Sequence, residues 1–442
     1  MINIINKAKP EKIFLIIAVV YGLIFLIFTP FMVPDEGPHF YKTLDISDGH
    51  LKITKVGEGA GIYVPESVIV TFNNFSINSL SPELYLPFNS NDRVFYDISG
   101  IAIASYSPLP YLASAIAISI GKLFNFSPII LLYMGRLANL LLWIFLCYLA
   151  IKMTPIHKWV FLLISLMPMA LFEASSLSAD SFTMGIVLLT VAFFFKLSLD
   201  NNEITAKDKY ILLALVSLVS LTKPTYFIII FLFFMIPKNK FKNGRERFFN
   251  IFLIFAVGSL LILTWSAINS GLYIPSHVPG VSTTEQISII IHNPFNYLTI
   301  VLQSYLYNIN LHLTMLIGNF SIGALENPLP LWLVCIYTLF LMAVPLLDKN
   351  KINVTIEQKS ISLITFFITL AITTTLIYIT WNKVGVNYIL GIQSRYFIPV
   401  MPLLLLIFYN KKLNHEFKYL KLIIILFIII SLTISIFLIV YG

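Results

Sequence analysis

Charge is what this sequence has least of. Only 11% of its 442 residues are Asp, Glu, Lys or Arg, against about 25% in an average soluble domain, and 58% are hydrophobic. That balance excludes a soluble globular chain. Two cysteines are present, Cys147 and Cys335, each inside an apolar run, which excludes both a disulfide framework and a cysteine metal cluster. The chain has no internal repeat and no low-complexity segment, so an inverted-repeat transporter gains no support. The glycine cluster Gly57-Glu58-Gly59-Ala60-Gly61 lacks the buried strand that must precede a phosphate loop, and reads as a turn.

What is present is a succession of apolar runs of roughly 20 residues, the length that crosses a bilayer as a helix satisfying its own backbone groups. The first, residues 13–32, exceeds the apolar core of a signal peptide. It is followed by Pro34-Asp35 rather than a small-residue cleavage site, so a retained anchor is expected. The net charge of +8 comes from lysines clustered between runs: Lys7, Lys9 and Lys12 first, then 196–209, 238–247, 348–351 and 411–421. These read as cytoplasmic segments rather than a nucleic-acid surface, and they put the N-terminus in the cytoplasm. The expectation is an all-α polytopic integral membrane protein, residues 1–442 forming one transmembrane domain of about 11 transmembrane or re-entrant helices. Two external loop regions are expected, 34–100 and 269–328, the second with an interfacial helix at 297–317. The short apolar run ending at Phe124 is expected to be re-entrant or interfacial. Residues 211–236 should break at Lys223-Pro224 into two short legs.

On this map several polar residues meet the outer membrane boundary. They are Asp35, Glu36 and His39 directly after the first run, with Pro34 and Pro38 expected to keep the backbone around them non-helical, then Asp180, Lys223, and Arg395 with Tyr396. Arg136 lies within its own run, nearer the outer end. Ionisable groups at the edge of apolar segments are costly and default to a functional site. Carboxylates can take a proton from an acceptor hydroxyl, and Arg or Lys can hold a phosphate whose charge grows as it leaves. Each residue also has a plainer reading. Asp35 can cap a helix starting near Gly37 or His39, and Asp180 can cap the helix it precedes. His39 can be a satisfied structural histidine, Arg136 half of a structural ion pair, and Lys223 a helix C-terminal charge. Glu173 reads as a residue that pairs or snorkels rather than a catalyst. Asp35, Glu36 and Asp180 are oxygen donors suited to a divalent metal, although spacing assigns no metal site.

Pro34-Asp35-Glu36-Gly37-Pro38-His39-Phe40 resembles the Pro-Asp-Glu-x-x-His signature of the bacterial and archaeal membrane proteins grouped as domain of unknown function 2142. Leu221-Thr222-Lys223-Pro224-Thr225, Ile317-Gly318-Asn319-Phe320 before Pro328-Leu329-Pro330, and Gln393-Ser394-Arg395-Tyr396-Phe397-Ile398-Pro399 extend the resemblance over nearly the whole chain. That family resembles the GT-C glycosyltransferases, which carry an acidic residue in the first external loop and take sugar from a polyprenyl- or dolichyl-phosphate carrier. The resemblance implies a GT-C-like bundle in the cell membrane, with Asp35 or Glu36 as the base and Asp35 the favoured one. Arg395 and Tyr396 become donor-phosphate contacts, and Lys223, Asp180, His39 and Arg136 further substrate-binding candidates. It also implies a glycan, glycolipid, lipid or protein acceptor and no organic cofactor; some such enzymes use a divalent metal. The larger members carry a soluble C-terminal domain not expected in this chain, which leaves acceptor recognition to residues 40–100 and 269–328. Two other classes remain open: a transporter or flippase for lipid-linked glycans, and a non-catalytic membrane assembly subunit.

Overall fold

A computed structural model describes residues 9–75, 87–274, 279–320, 327–347, 352–411 and 419–441. Lys7, the basic stretch 348–351 and residues 412–418 of the basic stretch 411–421, all used above, lie outside the described residues. The first apolar run forms helix α1 (Pro10–Phe28), opened by a proline whose missing N–H costs nothing in a first turn. Helix α2 (Glu36–Ser47) follows after a tight reversal. Pro38 therefore sits in the first turn of a helix instead of holding the backbone non-helical.

Residues 40–100, expected to be loop, are largely structured. After α2 come β1 (Thr54–Val56), β2 (Gly59–Pro65), α3 (Glu66–Asn74) and β3 (Arg93–Asp97). The strands form one antiparallel sheet in the order β1-β2-β3, with Val56 opposite Gly59 and Gly61 opposite Asp97. The glycine cluster is indeed the turn: Gly57, at φ 59°, starts the two-residue connection from β1 to β2, where a left-handed glycine matches the strand twist. At Gly61 a Cβ would lie 2.1 Å from the Tyr96 carbonyl oxygen, so the β2–β3 approach admits no side chain there.

The 3₁₀ turns Ala102–Ser105 and Leu109–Tyr111 lead into α4 (Leu112–Leu123), which lies alongside α2. Ser119 Oγ donates to the Ser47 carbonyl at 3.2 Å, and Lys122 Nζ reaches Asp48 at 2.7 Å. Next come α5 (Pro128–Met153), the short α6 (Lys158–Ser165) and α7 (Pro168–Ala174), and α8 (Ala179–Leu199). Helix α8 is the axis of the molecule, 94% buried along its apolar stretch. Its sequence is apolar on every side, as a helix surrounded by other helices must be. It is followed by α9 (Ala206–Ser220), the 3₁₀ segment Pro224–Met235 and α10 (Gly244–Ile268). The expected break at Lys223-Pro224 is present, and its two legs pack on one another.

The second region expected to be external holds α11 (Thr283–His292), α12 (Pro294–Tyr307) and α13 (Ile309–Ile317), so the stretch expected as one interfacial helix bends at Asn308. Tyr297 and Tyr305 bond Thr375 and Thr374 of the helix Ile356–Trp381 at 2.6 and 2.7 Å. Phe295, Leu298, Leu302 and Leu306 face outward. Helix α14 (Leu331–Leu346), α15 (Ile356–Trp381), the 3₁₀ turn Ser394–Val400, α16 (Met401–Leu405) and α17 (Leu420–Tyr441) complete the fold.

Among the described residues six helices are long and apolar enough to cross a membrane: α1, α5, α8, α10, α15 and α17. This overturns the expected bundle of about 11 transmembrane or re-entrant helices. Apolar length in sequence does not become helix length where the backbone is interrupted. The run 159–174 breaks before Pro168 into α6 and α7, 8 and 7 residues long. Pro224–Met235, Leu331–Leu346 and Ser394–Phe408 are apolar but too short for a full span, as is Leu109–Leu123. The protein is an all-α multi-pass membrane protein apart from its small three-stranded sheet.

Candidate functional site

A reversal of the chain sends the two adjacent carboxylates to different places. Between α1 and α2 the backbone turns through Phe31 and Asp35, left-handed at φ 60° and 62°. An aspartate tolerates that conformation better than most side chains.

Glu36 points inward and is 1% exposed. Its oxygens lie 2.7 and 2.8 Å from Nη1 of Arg136, which is wholly buried. They also accept the backbone N–H groups of Phe31 at 2.7 Å and Leu177 at 3.0 Å. Arg136 donates further to the Thr29 carbonyl and hydroxyl, at 2.9 and 2.8 Å. One carboxylate thus joins α1, α2, α5 and the segment before α8. Glu36 and Arg136, candidates for base and substrate contact, form a structural ion pair away from the cavity.

Asp35 occupies the N-cap position of α2 but makes no capping bond. Its side chain lines a cavity of 390 Å³ shared with Pro34, His39, Tyr106, Asp180, Gln393, Arg395 and Tyr396. Water reaches Asp35, yet protein surrounds it. Desolvation raises its carboxyl above the usual 3.8, with the charges of Arg395 and Lys223 opposing the rise and Asp180 adding to it.

The cavity wall opposite comes from α8 and two proline-broken turns. Ser178 caps α8 through its own side chain, which frees the Asp180 carboxylate from capping. Asp180 pairs with Lys223 at 2.5 Å and lies 3.9 Å from Nε of Arg395. Arg395 also meets the buried Glu173 at 3.1 Å, the pairing role expected of that glutamate. Lys223 Nζ sits 4.0 Å from the Tyr396 ring centre and 5.4 Å from that of Tyr106. It does not line the cavity itself but fixes Asp180 and Tyr396, which do. The Tyr226 hydroxyl donates to the Tyr396 carbonyl at 2.5 Å.

His39 stacks on Tyr106 and hydrogen-bonds the Tyr111 hydroxyl at 2.8 Å. Burial pushes its pKa down to about 3, so it stays neutral. Its unfolded counterpart takes a proton near the ordinary 6.5, so between that pH and about 3 the unfolded state binds more protons and stability rises with pH. Thermal unfolding in detergent from about pH 4 to about pH 8 should show this loss on the acid side, and His39→Phe should flatten it. An unchanged slope in the variant would rule His39 out as its source.

Sequence reasoning missed Lys42. It is 2% exposed and donates to the carbonyls of Ile103 and Tyr106, each at 2.6 Å, pinning the turn that presents Tyr106. Burial lowers its pKa to about 7, and a neutral amine still supplies both bonds. Its spacing of three from His39 on one helix was the available signal. Gln393, also in the wall, opens the Gln393–Pro399 motif quoted above but was given no role, and Trp381 and Tyr273 of the wall gave no signal. Among the described residues no three His, Cys, Asp or Glu come together to hold a metal, and Glu36 faces away from the trio with Asp35 and Asp180.

The fold and site define a multi-pass membrane protein with a charged cavity at one end of its buried central helix. Residues 18–404 match the family model described as a predicted membrane protein, DUF2142, and the chain belongs to that family. No curated protein and no solved structure matches it.

Proposed function

We propose that the protein is a membrane glycosyltransferase, with GT-C-type chemistry, that moves a sugar from a polyprenyl-phosphate carrier to a hydroxyl of a cell-surface acceptor. The observation that carries this reading is a water-accessible carboxylate, Asp35, and a guanidinium, Arg395, in the wall of one 390 Å³ cavity, a volume within the usual range for small-ligand sites. The acceptor O–H gives its proton to Asp35 while its oxygen attacks the anomeric carbon from the face opposite the phosphate. The anomeric C–O bond to phosphate breaks, and its electron pair leaves on the carrier phosphate, so the configuration inverts. One negative charge disappears from Asp35 and one appears on phosphate. Arg395, which acts on Asp35 electrostatically, stabilises the charge in both positions and needs no rearrangement. The Asp180–Lys223 pair and Glu173 hold Arg395 and Tyr396 in place.

A base that must be ionised gives a rate that falls as pH falls through its pKa. Because Asp35 is raised above 3.8, the acid limb of kcat/KM should lie above that value; a rate flat down to an ordinary aspartate pKa would contradict the assignment.

The direct test places purified protein in phospholipid nanodiscs with a panel of polyprenyl-phosphate sugars and follows both products by mass spectrometry. Free polyprenyl phosphate together with a new glycoside supports the proposal. Carrier crossing a vesicle bilayer without a new bond would replace it with a flippase, and no use of any carrier sugar would overturn it.

A further inference from the structure

The basic stretch 238–247 builds a second hollow, far from the first. It is an open groove of 840 Å³ lined by Lys238, Lys242 and Arg247, with Glu357 as the one acid in its wall. Lys238 and Lys242 are exposed and Arg247 is half-buried, so their charges are open to what enters. The apolar part of the wall is Phe234, Phe248 and Ile251. Two spanning helices fix where the groove lies. Helix α10 starts in it at Gly244. Near the far end of α10, Trp265 Nε1 donates to the Ser105 carbonyl at 2.9 Å, beside Tyr106 of the main cavity. Helix α15 has Glu357 in the groove and its last residue, Trp381, in the main cavity wall. The 25 residues of α10 cover about 37 Å, so groove and cavity lie at opposite membrane faces.

The neighbouring residues hold the groove in shape. Lys240 is taken up by the carbonyls of Leu197, at 2.7 Å, and Asp200, which ties the turn to the end of α8. Phe241 is buried and stacks on Phe233 at 5.5 Å. Glu246 pairs with Lys209 and also accepts the Lys242 N–H at 2.7 Å, which sets the backbone from which Lys242 projects. Lys238, Lys242 and Arg247, by contrast, form no ion pair among the described residues.

We infer that this groove holds the headgroup of an anionic phospholipid, whose acyl chains lie along α10. Charge and apolarity select that occupant together. Lys and Arg at a membrane surface attract anionic lipid, and a guanidinium such as that of Arg247 can bind two phosphate oxygens at once. Phe248, Phe252 and Phe255 are 70%, 57% and 52% exposed. Their spacing puts them on one face of α10, a stripe that runs from the groove along a helix only 11% buried over its apolar stretch. A soluble anion would satisfy the cations and leave the stripe bare. A zwitterionic lipid would cover the stripe but return a positive group to the three cations. An anionic lipid meets both demands. The volume of 840 Å³ lies within the usual range for small-ligand sites. Nothing in this assignment depends on sugar transfer.

The test titrates the purified full-length protein in detergent with phosphatidylglycerol or phosphatidylcholine of matched acyl chains, and reads bound lipid by native mass spectrometry. The wild type should hold phosphatidylglycerol at least about tenfold more tightly. Lys242→Gln and Arg247→Gln should each weaken that binding about fivefold, the effect of one basic residue near the surface, and Glu357→Gln should strengthen it by a similar factor. Arg245→Gln is the control. Arg245 is exposed on the same turn of α10 but does not line the groove, so its loss should change binding by less than about twofold. Lys242 and Glu357 are exposed, so those two variants keep the test intact should Arg247→Gln fold poorly. Equal retention of the two lipids, or an Arg245→Gln effect as large as that of Lys242→Gln, would overturn the site and leave a diffuse basic surface. Displacement of bound phosphatidylglycerol by an equal amount of polyprenyl phosphate would overturn the occupant and give the groove to that carrier; persistence of phosphatidylglycerol would support it.

Discussion

Asp35→Asn should lower sugar transfer by about 10²–10⁴-fold, the share general-base catalysis supplies, while thermal stability shifts by less than about 1 kcal/mol. The reasons for the small structural effect are local. Asparagine matches aspartate in size and also accepts the left-handed backbone that residue 35 adopts, at φ 62°. No capping bond is lost, since Asp35 makes none. The loss should fall on kcat more than on KM, because the proton moves only in the transition state. Asp180→Asn makes the contrast. It strips Lys223 of its 2.5 Å partner, leaves a buried cation unpaired and disturbs Arg395, so activity and stability should fall together. Initial rates of carrier release at saturating acceptor check both. An Asp35→Asn variant within about threefold of wild type would end the base assignment.

The sequence announced the site more fully than the fold. Polar residues are rare enough here that each one at a run boundary stood out. Asp35, His39, Asp180, Arg395 and Tyr396 do share one cavity, with Lys223 bound to it through Asp180. Arg136 is paired with Glu36 and Glu173 with Arg395, contacts that agree with the plainer readings. The cap of α8 fell to Ser178 instead of Asp180, because either residue fits the cap pattern and only geometry decides. What composition cannot reveal is the divergence of Asp35 and Glu36. That depends on the left-handed backbone of Asp35 itself, at φ 62°, a property of one φ angle rather than of residue type. The helix count failed for a related reason. An apolar run records what the environment is, whereas prolines such as Pro168 and Pro224 decide where hydrogen bonding stops. The sheet was hidden because its strands are three to seven residues long and its one clear hairpin signal was a glycine turn.

Glu36→Gln should destabilise the protein by about 3–5 kcal/mol, the cost of breaking a buried ion pair from one side. Arg136 has no exposure and would keep only its bonds to Thr29 against a full buried charge. Glutamine retains one oxygen for the two backbone N–H groups of Phe31 and Leu177, so one of those is orphaned as well. Arg136→Met should cost a similar amount, because the bare carboxylate is then the uncompensated charge. The double variant Glu36→Gln, Arg136→Met should recover part of the loss, since both charges are gone and only the backbone bonds remain unmet. Melting of the detergent-solubilised protein, followed by tryptophan fluorescence, reads all three. If the single changes were each nearly neutral, or if the double variant lost the sum of the two, the pair would not be the latch described. Transfer activity separates this residue from its neighbour. At a temperature where the Glu36→Gln protein is still folded, it should keep far more activity than Asp35→Asn, because Glu36 holds the turn that presents Asp35 and does not line the cavity.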